Sequence, residues 1–281
     1  MVTELRAHDI EYKDSTDDAL GNLNFLHIAK TDEYNQFLEA INNSIVHYQT
    51  IFDIHRQVGV GAEALIRTKT SYKGMSYSRL IHYAQTNDFV PRITEVVLKD
   101  VISRVRTETR SLGAIGQYGG NTHQTPEAYV YTVNISPACL EDQVCIDLIN
   151  QFLFVASNRF RLILELSEYN AFPCELLEEF YKRVGRDNRV KFAIDDFGVG
   201  QSRFENLNSP LVAWVKIDRS FLPVNQDGEK LRTLRAVVEF AQFFDCEVVV
   251  EGIETKSQFD LVSKLKGVNL AQGYLLARPA P

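Results

Sequence analysis

The chain has 281 residues, 45% hydrophobic and 24% charged, with a formal net charge of −7. That length suffices for one or two domains with their own core, and the acidic balance argues against a general nucleic-acid binder, which presents a basic face. The polar, acidic N-terminus holds no apolar signal segment, and no stretch approaches the roughly 18 apolar residues a membrane helix needs. The four cysteines, Cys139, Cys145, Cys174 and Cys246, form no C-x-x-C pair. They read as reduced thiols in or near the core of a cytoplasmic protein.

Residues 1 to about 35 read as a lead-in of low hydrophobicity, with the domain boundary expected near residue 40 and a barrel over 41–281. A helical period begins at Asp32, with Phe37, Leu38, Ile41 and Ile45 on its apolar stripe. Short apolar runs then follow at 46–54, 61–67, 128–136, 161–168, 190–196, 213–218, 246–254 and 268–277. Several are continuous rather than alternating, as strands covered on both faces are. Helical patterns lie between them, at 96–106, 175–185, 230–244 and 257–267, two of them closed by glycine. The glycine-rich stretch 107–127 reads as a long surface loop or a partly disordered insertion.

Eight strand candidates interleaved with helices point to an α/β fold, a (β/α)8 TIM-like barrel. The first two runs are separated only by the short segment HRQVGV, too short for a helical crossover. The first strand is therefore expected to run antiparallel to the second.

Seven of these runs carry polar or charged side chains at their ends that a buried strand would not choose: Glu63 and Arg67, Asn134, Glu165 and Glu168, Asp195 and Asp196, Lys216 and Asp218, Glu251 and Glu254, and Gln272. Taken singly, such a group is commonly a solvated or ion-paired residue, and Asp195-Asp196 before Phe-Gly would serve as a helix-capping turn. Their recurrence after successive strands is what carries the inference. In a parallel barrel those ends converge on one face, the face that hosts chemistry. Carboxylates gathered there repel one another, and bound divalent cations relieve the repulsion. Oxygen donors select hard ions such as Mg²⁺ or Mn²⁺. Adjacent aspartates suit two metals about 3.5–4 Å apart, the geometry of in-line phosphoester cleavage.

The ordered set E-A-L (63–65), V-N-I-S (133–136), E-L-S-E (165–168), D-D-F-G (195–198), K-I-D (216–218), E-G-I-E (251–254) and Q-G-Y (272–274) resembles the EAL-domain phosphodiesterases, from about Ser44 to Pro281. The resemblance implies hydrolysis of cyclic di-GMP to linear pGpG by in-line attack of a metal-activated water, with two divalent cations, Mg or Mn. It implies that Glu63, Asn134, Glu165 and Asp195 ligate one metal and Asp195, Asp196 and Glu251 the other, with Lys216 orienting the water. Glu63, Lys216 and Glu251 would be the catalytic set. Gln49, Arg67 and Gln272 would line or contact the dinucleotide, Glu168 would brace the D-D-F-G loop, and Glu254 would support the site from behind. The resemblance also implies a homodimer.

The chain departs from the family after D-D-F-G, where Val199-Gly200-Gln201-Ser202-Arg203 replaces the usual T-G-Y-S-S. Thr68 stands where an aromatic residue is common and Gln85 where a glutamate is common. No G-G-D-E-F cyclase motif is present. The altered loop is the reason to carry a second expectation, a catalytically silent cyclic di-GMP receptor that signals through a protein partner. A barrel hydrolase acting on another phosphodiester is a third.

Overall fold

Closure is the organising feature: eight strands join edge to edge into a barrel in the order β1-β2-β3-β4-β5-β6-β7-β8. The computed structural model describes residues 32–115, 128–167, 172–199, 207–223 and 228–281. Helix α1 covers residues 32–42 and packs Phe37 and Ala40 into the core, so it straddles the boundary expected near residue 40. The strands are β1 (Ser44–Asp53), β2 (Val58–Thr68), β3 (Tyr129–Ile135), β4 (Phe160–Ser167), β5 (Val190–Phe197), β6 (Val212–Ile217), β7 (Glu247–Val250) and β8 (Val268–Ala271). The helices that follow α1 are α2 (Tyr77–Thr86), α3 (Val90–Ile115), α4 (Pro137–Glu141), α5 (Gln143–Val155), α6 (Cys174–Arg183), α7 (Gly228–Phe243) and α8 (Lys256–Val262).

As the short connector requires, β1 runs antiparallel to β2, and it is antiparallel to β8 as well. The remaining neighbours are parallel, from β2–β3 round to β7–β8. Because β8 is short, it pairs only with Phe52 and Asp53 of β1. Higher on β1, Tyr48 instead exchanges backbone hydrogen bonds with Ala280, at 2.6 and 3.1 Å. The C-terminal segment thus covers an edge the sheet would otherwise expose.

Strand period divides the interior into two apolar compartments. Outward-facing residues of the strands pack against the helices in one large cluster. Inward-facing residues form a separate plug of Ile51, Val130, Ile163, Ala193, Trp214, Val249 and Leu270, contributed by seven different strands. This plug fills the lower part of the barrel, so the upper part alone is left for polar groups.

Three expectations are corrected. Residues 107–115 continue α3 rather than beginning a loop; TETRSLGAI carries a single glycine and no proline, and the stripe of Val97, Val101, Ile102 and Val105 that anchors the helix is buried. Ile45 lies in β1 opposite Arg67 rather than on the first helix. The runs at 246–254 and 268–277 yield strands of four residues each. Gly252, with φ +68°, turns the chain just beyond β7, and Gly273 packs against the backbone of Ile253 just beyond β8. Helices α2, α4 and α5 had no clear sequence pattern. In α5, QVCIDLINQFLFV is apolar around most of its circumference, and so many of its residues are buried that the 3.6-residue period is masked.

Candidate active site

The period of two that builds the plug also builds the site above it. Adding two residues to Ile163, Ala193, Trp214, Val249 and Leu270 gives Glu165, Asp195, Lys216, Glu251 and Gln272. On β3 the same step from Val130 gives Thr132 and then Asn134. On the antiparallel β1 it runs backwards, from Ile51 to Gln49, which lies opposite Glu63 of β2. Register aligns Glu63 with Thr132 and Asn134 with Glu165 across neighbouring strands.

Lys216 stands at the centre, with 1% of its surface exposed. Its Nζ lies 2.8 Å from Glu251 Oε1, 2.9 Å from Glu165 Oε1, 3.0 Å from Asp195 Oδ1 and 3.5 Å from Glu63 Oε2. Amide groups hold the rest of the ring. Asn134 Nδ2 donates to Glu63 Oε1 at 3.0 Å, and Gln272 Nε2 donates to Glu63 Oε2 at 2.8 Å. Gln272 Nε2 also donates to Gln49 Oε1 at 3.1 Å, while Gln49 Nε2 donates to the Ala277 carbonyl at 3.1 Å.

One ammonium faces four carboxylates, and the imbalance appears in their proton affinities. Burial alone would lower Lys216, but the charges of Asp195, Glu165, Glu251 and Glu63 outweigh it and hold Nζ protonated far above the usual lysine range. Burial raises Glu63 too, yet Lys216 and the two amides prevail and keep it below the usual carboxylate range. Glu165 goes the other way: burial and then the Glu63 charge push it well up against the pull of Lys216. Glu251 is pushed up to about 8, by burial first and by Asp195 and Glu63 against Lys216. The ring therefore relieves its surplus negative charge by holding protons on Glu165 and Glu251.

Asp196 needs a separate explanation, because adjacent strand residues face opposite sides. It adopts φ +53°, in the left-handed region, where the β5–β6 register shifts between Ile194 and Phe197. That irregularity brings the second aspartate round to the first. Carboxylate oxygens of Asp195, Asp196 and Glu251 come within 4.8 Å of one another, a group able to hold a metal ion.

The donor set fits divalent cations. It is all oxygen, it is over-supplied with negative charge, and both Glu165 oxygens and Asp195 Oδ1 are buried without a hydrogen bond. Glu165 and Asp195 meet Lys216 as ion pairs only.

The remaining expected residues are placed as follows. Arg67 is half-buried, donates to the Ile66 carbonyl at 2.8 Å and stacks on the Tyr77 ring, 4.9 Å from its centroid. Glu254 is exposed and loosely paired with Arg219 at 3.6 Å, on the rim of a cleft of about 200 Å³ that also touches Gln49, Glu251 and Gln272. Glu168 and the segment 200–206 of the altered loop lie outside the described residues, as do residues 1–31 and 116–127. Sequence reasoning missed Thr132, fully buried beside Glu63, whose hydroxyl also lacks a hydrogen bond. Its position two residues before Asn134 was the available signal. It also missed Tyr77, which comes from α2 and had none.

Several known proteins are similar to this chain. The chain is similar to the cyclic di-GMP phosphodiesterase PdeL of Escherichia coli (strain K12), 26% identical over 242 residues that cover 83% of this chain and 61% of that protein. It is also similar to the probable cyclic di-GMP phosphodiesterase PdeD of the same organism, 29% identical over 240 residues that cover 83% of this chain and 41% of that one. The chain thus spans only 61% and 41% of these relatives' lengths. Among solved structures, the PaMucR phosphodiesterase in complex with c-di-GMP superposes with a TM-score of 0.68 at 26% identity, covering 89% of this chain and 97% of that chain. The FimX EAL domain from Pseudomonas aeruginosa, bound to c-di-GMP, shares the fold at 19% identity with a TM-score of 0.66, over 89% of this chain and 96% of that one. The sequence model of the EAL domain matches residues 33–279, from α1 through the last strand of the barrel, and the chain belongs to the EAL domain family.

Proposed function

We propose that the protein hydrolyses cyclic di-GMP to linear pGpG with two divalent cations, Mg or Mn. The observation that carries this reading is the buried ring itself: carboxylates from four strands converge on Lys216 with more negative charge than one lysine balances. Glu63, Asn134, Glu165, Asp195, Asp196 and Glu251 would hold the cations, with Asp195 shared. When bound, the cations would supply Lewis-acid activation of water and of the phosphodiester.

The chain's own groups divide the remaining work. Lys216 keeps its proton, so Nζ donates rather than accepts; it orients the attacking water and shields the charge that builds up on the phosphoryl oxygens. Gln49, Gln272 and Arg67 contact the dinucleotide, Arg67 through a phosphate, with its guanidinium steadied by Tyr77. Attack in line expels the 3′ oxygen. Glu168 and Glu254 support the loops around the site. No helix among the described residues is long and apolar enough to cross a membrane, and light scattering tests the homodimer that the family resemblance implies.

The deciding experiment is incubation of the purified protein with cyclic di-GMP and Mg²⁺ or Mn²⁺, with chromatographic detection of pGpG. Metal-dependent appearance of pGpG supports the hydrolase. Tight binding without turnover replaces it with the receptor reading, and turnover of other phosphodiesters in preference to cyclic di-GMP replaces the substrate.

A further inference from the structure

Two thiols away from the carboxylate ring meet on one turn of α3. Cys139 of α4 and Cys145 of α5 are both free and 2% and 0% exposed. Cys139 Sγ lies 3.4 Å from Thr94 Oγ1 and accepts from the Ser136 N–H at 3.4 Å. Cys145 Sγ donates to the Pro91 carbonyl at 3.7 Å. Pro91 and Thr94 are three residues apart on α3 and therefore neighbours on the helix surface. Both sulfurs are thus seated against the same turn. The neighbouring Cys145 thiol, with Ser136 and Thr94, holds the Cys139 thiol below the usual thiol range against the effect of burial.

The same turn touches the site. Thr94 Oγ1, which faces Cys139, also donates to the Asn134 carbonyl at 3.4 Å. Asn134 in turn donates to Glu63. A cleft of about 810 Å³ runs past Glu63, Asn134, Ser136, Pro137 and Ile93, on one side of this turn. Between the two cysteines the chain has one extended residue, Asp142 (φ −70°, ψ 120°), which separates α4 from α5.

We propose that Cys139 and Cys145 form a reversible disulfide in response to peroxide, and that its closure withdraws Asn134 from the metal site. The Cys139 sulfur attacks one peroxide oxygen, the O–O bond breaks, and a sulfenic acid and one water result. The Cys145 sulfur then attacks the sulfenic sulfur, the S–S bond forms, and the hydroxyl leaves with a proton as a second water. Two thiols are oxidised and one peroxide is reduced. Bond formation draws Cys139 off the Ser136 N–H and the Thr94 hydroxyl, and the β3–α4 connection that carries Asn134 shifts with it. A thiol-dependent reductant restores the open state.

The effect on turnover rests on the hydrolase reading, whereas the effects on thiols and metal do not. The full chain is treated with hydrogen peroxide in the absence of metal and alkylated. It is then mapped by mass with and without dithiothreitol, and Mn²⁺ affinity by calorimetry and cyclic di-GMP turnover are followed alongside. Cys139 and Cys145 are expected to lose alkylation together, with loss of two hydrogens in mass. Mn²⁺ affinity should fall about tenfold, the scale of outer-shell disruption, and turnover should fall with it, all reversed by dithiothreitol. Cys145→Ala should keep basal affinity and turnover and lose the peroxide response; Cys145→Ser serves the same end if the alanine variant folds poorly. The proposal is overturned if both thiols remain alkylatable, if Cys139 oxidises without Cys145, or if the disulfide forms and Mn²⁺ affinity does not move. A protein inactive from the outset would refute the hydrolase reading alone and would still return the thiol and metal results.

Discussion

Replacing Lys216 with methionine keeps most of the side-chain volume and removes the one cation that, among the described residues, pairs with these four carboxylates. Breaking a buried ion pair by deleting one partner costs about 3–5 kcal/mol. Here the stranded carboxylates have a partial escape, because Glu165 and Glu251 already bind protons readily. The low end, about 3 kcal/mol, is therefore the expected loss in metal-free protein near pH 8, and it should shrink toward pH 6 as those carboxylates protonate. For a domain of this size that corresponds to roughly 6–12 °C in Tm. Bound Mn²⁺ replaces the missing charge, so saturating metal should close much of the gap, while turnover should still fall by about 10²–10³, the scale of losing one charge-stabilising donor. Thermal unfolding in EDTA and in excess Mn²⁺, with pGpG release measured in parallel, tests all three. An unchanged Tm in EDTA, or turnover within a few-fold of the parent, would show that Lys216 is not the charge centre described.

Three further predictions follow from the same geometry. Glu63→Ala should abolish turnover through lost metal binding, seen as failure of added Mn²⁺ to raise Tm; near-normal activity would contradict the site assignment. Metal affinity should be pH-dependent: Glu251 carries a proton below about pH 8 in the metal-free ring, and the cation must displace it. Apparent Mn²⁺ affinity should therefore rise from pH 6 to 8 and level off above, by up to about tenfold per unit; a flat calorimetric profile would count against that proton. Gly61→Ala should destabilise the barrel by about 1–3 kcal/mol, because an added Cβ would lie 2.6 Å from the Val130 carbonyl oxygen of the neighbouring strand; denaturant unfolding at parental stability would show that β2 and β3 can part there without cost.

Much of the fold was legible because its signals are local. Continuous apolar runs marked the strands, the short HRQVGV segment fixed the antiparallel start, and the polar residue two places beyond each plug residue marked the mouth of the barrel. Helix α5 escaped because its burial erased its period, and the last part of α3, residues 107–115, was misread because glycines at 116, 119 and 120 drew the loop boundary too early.

Residue type and alternation, then, settled which groups would face the barrel mouth. What they could not settle was which groups touch. Gln272 reaches Glu63 across 209 residues, Lys216 takes the centre only when four other strands fix its distance to each acid, and Asp196 turns inward only through a left-handed backbone at a register shift. Cys139 and Cys145 meet because α3 offers both a seat on one turn. Period is a property of neighbours along the chain, whereas charge balance and thiol contact depend on distances set by barrel closure, and closure is decided by register summed around the whole sheet.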